Sequence, residues 1–239
     1  FFAQDEIDAG FDFSFKGSCE AFVTGRGRAV AYGCYLGSRH KVRKGYQLAH
    51  YLSSHDEPMA LYNLNGDKDK LRICAAIQMT SAGLPVIYYG EEVARAGSEW
   101  PLNRSNMPCG DRDIRPGKSD ARDEAIREYY KTLLHIRRHH PALRRGDYTL
   151  LSGPQDTVLA YIRHDAASND KVMVVVNRKD RELTADYMLP DSWNGKPVSD
   201  ELSGKPVTVT AGRVESIMAP RSVRILSAGS GADSGKAGL

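Results

Sequence analysis

The residues best suited to chemistry stand together in the stretch Tyr51–Met59, which reads YLSSHDEPM. A run of apolar and aromatic residues, Tyr46–Leu52, gives way to small polar residues, and His55, Asp56 and Glu57 follow before a proline. A strand that presents a histidine and a carboxylate at its carboxyl end can form a catalytic rim, and in a (β/α)8 barrel the active site lies at that end. On spacing alone, a polar loop closed by proline is the competing interpretation.

The residues after this motif predict a helix and then a short strand. Within 66–82, apolar and small residues recur at helical spacing, with charged residues on the other face. Gly83 lies where a glycine C-cap is expected. Pro85 opens the next run, Leu84–Tyr89, whose unbroken β-forming residues are typical of a parallel strand buried on both faces. Gly-Glu-Glu at 90–92 closes this run.

The order of these motifs, SSHDEPM, a helix and then GLPVIYYGEE, resembles the last two strand units of the α-amylase superfamily of glycoside hydrolases, the family 13 type. The resemblance continues through WPLNRSNMPCGD and RRHHPALRRG into a C-terminal β region, so it covers nearly the whole chain. It implies an α/β fold: the C-terminal portion, about strands six to eight, of a (β/α)8 TIM barrel, followed by an antiparallel β-sandwich.

The resemblance also implies roles for particular side chains. Asp56 matches the acid that stabilises the oxocarbenium-like transition state, and His55 matches a donor to hydroxyls of the sugar being cleaved. Arg104 and Trp100, in the loop after the last strand, match substrate-binding positions, and Glu57 is predicted to contact substrate as well. The alternatives are a strand-end histidine tied to the backbone for His55 and a loop anchor for Trp100.

For Arg104, the alternative is an ion pair that stabilises the loop, with Glu91, Glu92 or Asp111 as its partner. The sequence also departs from the family pattern at three positions. Ser54 stands where Asn is frequent, Met59 where α-glucosidase-like members have Arg, and Cys109 where Trp is frequent. These departures weaken any assignment of a particular specificity.

The catalytic nucleophile and the general acid of the family have no match ahead of the candidate sixth strand, Phe11–Phe15. The fourth-strand motif with its Arg-x-Asp core is missing there, and Glu6 lies too close to that strand to be the fifth-strand Glu. We therefore expect the chain to be the C-terminal part of a longer enzyme and to be inactive by itself. A closed barrel needs all eight strands.

The function implied is hydrolysis of α-glucosidic linkages in malto-oligosaccharides or α-glucans by a retaining mechanism. Alternatives are an α-glucan transglycosylase of the same family and a non-catalytic amylase-like binding or assembly protein. No cofactor or metal site is located in this sequence, and a calcium site is left open for the preceding part of the enzyme. The expected partner is the glucan, with neither nucleic acid nor membrane, and the oligomeric state stays open.

Three regions are predicted along the chain: part of the catalytic barrel at 1–146, an all-β sandwich at 147–227 and a flexible tail at 228–239. In the first region we expect a helical turn at Gly17–Gly25, a helix at Ala29–Leu36, and a basic loop at Ser38–Lys44. A long loop follows at 92–119. Asp123 begins an amphipathic helix, whose predicted apolar face is Ile126, Tyr129, Tyr130, Leu133 and Leu134.

Composition sets broad limits. With 41% hydrophobic and 26% charged residues the chain is ordinary for a globular protein, and a net charge of +3 is too small to indicate a polyanionic partner. The cysteines lack paired metal spacing, and a Cys19–Cys34 disulfide stays open. No segment is apolar over the length of a bilayer. Localisation stays open, since the sequence starts without Met and the absence of a signal peptide says nothing about export.

Overall fold

The protein is seen in a computed structural model that describes residues 7–40, 45–108, 122–151 and 158–228. The predictions made for Cys109, Asp111 and the tail from residue 229 lie outside these ranges.

A small parallel sheet carries the motif. Its strands are β1 (Ala9–Asp12), β2 (Gln47–Tyr51) and β3 (Leu84–Val86), in the order β1-β2-β3. Helices α1 (Phe15–Val23) and α2 (Ala29–His40) join β1 to β2, and α3 (Ala60–Asn63) and α4 (Lys68–Thr80) join β2 to β3. Because the strands are parallel, their carboxyl ends meet at one edge of the sheet, as they do in βα barrels.

The helix before β3 has strong local signals at both ends. Asp67 caps α4 by accepting hydrogen bonds from the backbone amides of Asp69 and Lys70. At the other end Gly83 has φ +102°, and a Cβ there would lie 2.3 Å from the Leu48 carbonyl oxygen, so only glycine fits. The prediction that Gly83 is the C-cap of this helix is wrong, because α4 ends at Thr80 and Ser81 is its C-cap residue.

After β3 the chain forms short 3-10 turns at Glu91–Val93 and Leu102–Arg104, then α5 (Glu124–His139) and α6 (Pro141–Arg145). Asp123 caps α5 through the Ile126 amide, as the sequence predicts. The predicted apolar face is wrong at Leu134, which is exposed, whereas Tyr129 is half-buried and packs against the core. The buried face instead continues through Ile136 and Arg137, because a helix turns 100° per residue.

The C-terminal region is antiparallel. A six-stranded sheet has the order β4-β5-β6-β11-β8-β9, and β7 pairs with β10 in a separate two-stranded ribbon. The strands are β4 (Asp147–Leu150), β5 (Val158–Asp165), β6 (Asp170–Asn177), β7 (Leu183–Met188), β8 (Val198–Asp200), β9 (Lys205–Val207), β10 (Arg213–Met218) and β11 (Ser222–Ala228).

The six-stranded sheet contributes to two hydrophobic cores. One face, including Tyr161 and Val174, belongs to the same buried cluster as residues of α1, α2, α4 and α5. The other face, including Met173 and Val175, packs against the β7–β10 ribbon and Trp193. The predicted boundary near Asp147 falls where β4 begins, but the residues on either side of it share a core.

Two buried arginines reinforce this junction at the carboxyl end of α4. Arg137 of α5 donates to the carbonyl oxygens of Met79 and Ser81 at 2.7 and 3.1 Å, and Arg163 of β5 donates to that of Thr80 at 2.7 Å. Helix ends leave such carbonyls without partners. Burial lowers the pKa of each guanidinium to about 10. The end of α4 is therefore closed by side chains from two later segments.

Several sequence expectations need correction. The predicted strand Phe11–Phe15 is shorter and earlier, because Phe15 already begins α1. The predicted strand Leu84–Tyr89 ends at Val86 and is not buried on both faces, since Leu84 is 42% exposed at the edge strand of its sheet. The predicted loop at Ser38–Lys44 is wrong at residues 38–40, because α2 continues to His40, and residues 41–44 lie outside the described ranges.

The described part of the chain contains no disulfide, membrane-spanning helix or metal-binding cluster. Cys19 is buried, Cys34 is exposed, and both are free, so the disulfide left open by the sequence does not form. No helix in the described ranges is long and apolar enough to cross a bilayer. Within the same ranges no three His, Cys, Asp or Glu side chains are grouped to hold a metal ion.

Candidate functional site

A cleft of about 310 Å³ lies at the carboxyl edge of the parallel sheet. It is bordered by segments that follow β1, β2 and β3, and its walls are largely aromatic and polar. The lining residues are Phe11, Phe13, Tyr51, Ser53, Ser54, His55, Asp56, Glu57, Val86, Ile87 and Tyr88. The strand ends thus bring the predicted histidine and carboxylates into one concave surface, which is the usual form of a small-molecule site.

His55 and Asp56 are the exposed polar pair of this cleft. His55 Nε2 lies 3.3 Å from Asp56 Oδ2, and the two side chains are 62% and 72% exposed. At this exposure both side chains are accessible to a ligand, whereas a side chain that only supports the fold from inside would be buried. The interpretation of His55 as a histidine tied to the backbone does not describe this side chain, whose imidazole contacts Asp56.

Arg104 reaches the same pair from the loop after β3. Its Nη2 lies 3.5 Å from Asp56 Oδ1, and its Nε donates to the His55 carbonyl oxygen at 3.0 Å. The predicted alternative named Glu91, Glu92 or Asp111 as the partner of Arg104, but the acid that Arg104 contacts among the described residues is Asp56. The cleft therefore presents a carboxylate, an imidazole and a guanidinium within a few ångströms, a set that can bind vicinal hydroxyls.

Trp100 and Glu57 occupy different environments from that cluster. The Trp100 side chain is 71% exposed, so it does not anchor the loop by burial, and it remains free to stack on a ligand. The Glu57 carboxylate is held by Lys16 Nζ at 2.8 Å and by the Tyr51 hydroxyl at 3.4 Å. Burial, together with the Glu57 charge, raises the pKa of Tyr51 to about 12.

Glu91 and Glu92 follow β3 but do not line the cleft. Glu91 is buried and accepts a hydrogen bond from the Tyr130 hydroxyl at 2.8 Å. Burial raises the pKa of the Glu91 carboxyl to about 7. Among the described residues, the Oε2 atoms of Glu91 and Glu92 have no hydrogen-bond partner. These acids pack behind the strand end, which fits a structural role.

Three supporting residues were not found by sequence reasoning: Lys16, Arg95 and Asn103. Lys16 is buried and also donates to the Pro58 carbonyl oxygen at 2.7 Å. Arg95 is fully buried and contacts Met59 Sδ at 3.3 Å. Met59, one of the departures from the family pattern, is thus in contact with an arginine of a neighbouring loop. No local pattern signals these roles, since each depends on a contact distant in the sequence.

The described side chains of the cleft can exchange hydrogen bonds with hydroxyl groups, and Asp56 places a negative charge among them. A retaining mechanism needs two carboxyl groups roughly 5–5.5 Å apart, one as acid and one as nucleophile. Among the described residues that line the cleft, Asp56 alone presents an open carboxylate, because that of Glu57 is bound to Lys16. Asp56 is therefore the carboxylate of the described cleft that a ligand can reach.

Residues 29–129 match the family described as "Alpha amylase, catalytic domain". The chain is 30% identical over 155 residues to a cyclomaltodextrinase of Geobacillus thermopakistaniensis. The aligned residues make up 64% of this chain and 24% of that protein. The chain is 28% identical over 228 residues to neopullulanase 2 of Thermoactinomyces vulgaris, covering 93% of this chain and 37% of that protein. The chain thus spans about a quarter to well over a third of these relatives.

Solved structures show the same fold. Ttha1563 from Thermus thermophilus superposes with a TM-score of 0.78 at 26% identity, over 95% of this chain and 49% of that one. An α-amylase from Anoxybacillus superposes with a TM-score of 0.74 at 22% identity, over 98% of this chain and 48% of that one. Together with the family match over 29–129, these likenesses show that the chain is similar to the α-amylase family of glycoside hydrolases.

Proposed function

We propose that this chain supplies the sugar-binding and transition-state-stabilising part of a retaining glycosidase acting on α-glucosidic linkages. The observation that carries the proposal is the exposed cluster of His55, Asp56 and Arg104 at the carboxyl edge of the parallel strands. The cyclomaltodextrinase and neopullulanase relatives support α-glucans as the substrate class.

In the proposed mechanism Asp56 accepts hydrogen bonds from sugar hydroxyls, and these strengthen as positive charge develops on the ring. His55 donates to a neighbouring hydroxyl, and Arg104 orients Asp56 through their 3.5 Å contact. The exposed indole of Trp100 offers a face on which a sugar ring can stack. The proposed mechanism requires no cofactor from this cleft.

We assign β1, β2 and β3 to the sixth, seventh and eighth strands of the barrel, and the C-terminal sheet with its ribbon to the β-sandwich. The nucleophile and general acid are then supplied by residues outside this sequence. The structural likeness over about half of each solved chain supports the assignment. From this assignment we expect the 239-residue chain to be inactive by itself.

The proposal is tested by assaying maltotriose, starch and cyclodextrins with the longer protein and with the 239 residues alone. Sugar release by the longer protein and none by the shorter chain are expected. No release from any α-glucan by the longer protein would refute the glycosidase assignment. Activity of the shorter chain, abolished by Glu91→Gln or Glu92→Gln, would refute the assigned roles of the acids.

Product analysis separates the two enzyme alternatives. A transglycosylase uses the same covalent intermediate but transfers it to a sugar, so longer oligosaccharides would appear from maltotriose. Binding of maltotriose without any turnover would favour the non-catalytic alternative. The accessibility of Asp56 favours the catalytic interpretation, because a binding protein has no need of a carboxylate suited to a cationic transition state.

A further inference from the structure

The loop after β3 places consecutive residues in opposite environments. In the 3-10 turn Leu102–Arg104, Leu102 is 57% exposed, whereas Asn103 is only 1% exposed. Arg104 points to Asp56. A polar amide that is buried this deeply must find hydrogen-bond partners, because an unpaired buried polar group is costly.

Asn103 finds its partners in the turn that carries Asp56. Its Nδ2 donates to the His55 carbonyl oxygen at 2.8 Å and to the Glu57 carbonyl oxygen at 3.2 Å. These carbonyls lie on either side of Asp56 along the chain, so one amide group spans the residue from behind. Meanwhile, the Asp56 side chain remains exposed on the cleft side.

Arg95 fixes Asn103 in turn. Both Nη atoms of Arg95 donate to the Asn103 carbonyl oxygen at 3.2 Å, and Nη2 donates to the Tyr89 carbonyl oxygen at 2.9 Å. The guanidinium also lies 4.3 Å from the centre of the Tyr89 ring. Because the Arg95 side chain is fully buried and multiply bonded, it gives Asn103 a rigid support.

We propose that Asn103, supported by Arg95, is a positioning residue that holds Asp56 in the geometry needed for transition-state stabilisation. This inference rests on the proposed function. Asn103 lies behind the turn and acts through the backbone on each side of Asp56. Small displacements matter here, since misplacement of a reacting group by about 1 Å can cost on the order of 10²-fold in rate.

The chain provides a matched control for a purely structural role. Asn177 is fully buried, and its Nδ2 likewise donates to backbone carbonyl oxygens, those of Arg181 at 2.9 Å and Ala219 at 2.8 Å. It lies in the antiparallel sheet and does not line the cleft. Asn103→Leu and Asn177→Leu each remove a buried amide donor, and only the first removes support from Asp56.

The test measures kcat, KM and Tm for both variants in the longer protein. Both should melt at lower temperature, but only Asn103→Leu should lower kcat, on the order of 10²-fold, with a much smaller change in KM. If Asn103→Leu does not fold, Asn103→Ser removes the same amide with a smaller side chain and decides the question. Unchanged kcat in a folded Asn103 variant would overturn the proposal.

Amide hydrogen exchange of residues 54–57 gives a readout that does not depend on glycosidase activity. Asn103→Leu should speed exchange in this turn about tenfold through the loss of the two hydrogen bonds, and Asn177→Leu should leave it unchanged. If exchange is faster in the Asn103 variant but the longer protein has no activity on α-glucans, the proposed function is refuted, while the claim that Asn103 supports the turn around Asp56 stands. Exchange unaffected by the Asn103 variants would overturn the positioning role whether or not the enzyme is active.

Discussion

His140 makes the stability of the protein depend on pH between about 6.5 and 9. It joins α5 to α6, with Nδ1 2.9 Å from Asp170 Oδ1 and Nε2 3.8 Å from Glu201 Oε1. Burial alone would lower the pKa of His140, but the hydrogen bond to Asp170 and the negative charges of both carboxylates outweigh it and raise the pKa to about 9. The pKa values of Asp170 and Glu201 are correspondingly lowered.

The sign of the effect follows from proton linkage. The folded state holds the His140 proton more tightly than the unfolded chain, whose histidine has a pKa of about 6.5. The stabilisation is therefore complete below about pH 6.5 and is lost as pH rises through about 9. A shift of this size corresponds to on the order of 3 kcal/mol, or roughly 6–12 °C in Tm for a chain of this length.

Replacing His140 with Gln keeps a side chain that can donate to Asp170 but removes the titration. The free energy of unfolding of the two proteins, measured by denaturant titration between about pH 5.5 and 9.5, should differ most at low pH and converge by about pH 9.5. His139→Gln is the matched control, because His139 is exposed and bonds only to the His135 carbonyl oxygen of its own helix among the contacts described. A difference between wild type and His140→Gln that stays constant over the whole range would refute the reasoning.

Three further perturbations test the site and its surroundings. In the longer enzyme, Asp56→Asn should lower kcat on the order of 10²-fold or more with little effect on KM, and an unchanged kcat in steady-state assays would make Asp56 a structural acid. Wild type should lose stability as pH rises from about 4.5 to about 7, because ionising the buried Glu91 carboxyl is unfavourable, and Glu91→Gln should remove this loss. In denaturation experiments the variant should be more stable than wild type at about pH 8 but not at about pH 5, by at most about 3 kcal/mol. Gly90→Ala should cost roughly 2 kcal/mol or more in unfolding free energy, since φ is +87° and the new methyl would lie 2.4 Å from Arg95 Nε, whereas Gly17→Ala, with nothing within 4 Å, should not.

The parts of the site that the sequence predicts are those encoded by local pattern. The strand that ends before His55 and Asp56, the helix after it and the cap at Asp123 are each read from a few neighbouring residues, and each is present. The predicted length of β3 was wrong because apolar β-forming residues continue to Tyr89, while the pairing with β2 stops at Val86.

Asn103 and Arg95 could not have been predicted from the sequence. Their roles depend on the path of an irregular loop, which brings Asn103 to carbonyls of His55 and Glu57 far from it in the chain. The same holds for Arg137 and Arg163, whose charges suggest solvent exposure. Both are buried because the carbonyls at the end of α4 replace the water that would otherwise hydrate them.

The packing of Arg95 against Gly90 carries a consequence for molecular evolution. Gly90, the glycine of the IYYGEE run, does not line the cleft. The Arg95 side chain occupies the position that a side chain at residue 90 would need. The two positions should consequently change together among related chains, so that a residue larger than glycine at position 90 accompanies a shorter side chain at position 95. Pairs that violate this rule in an alignment would show that the loop takes another path in those relatives.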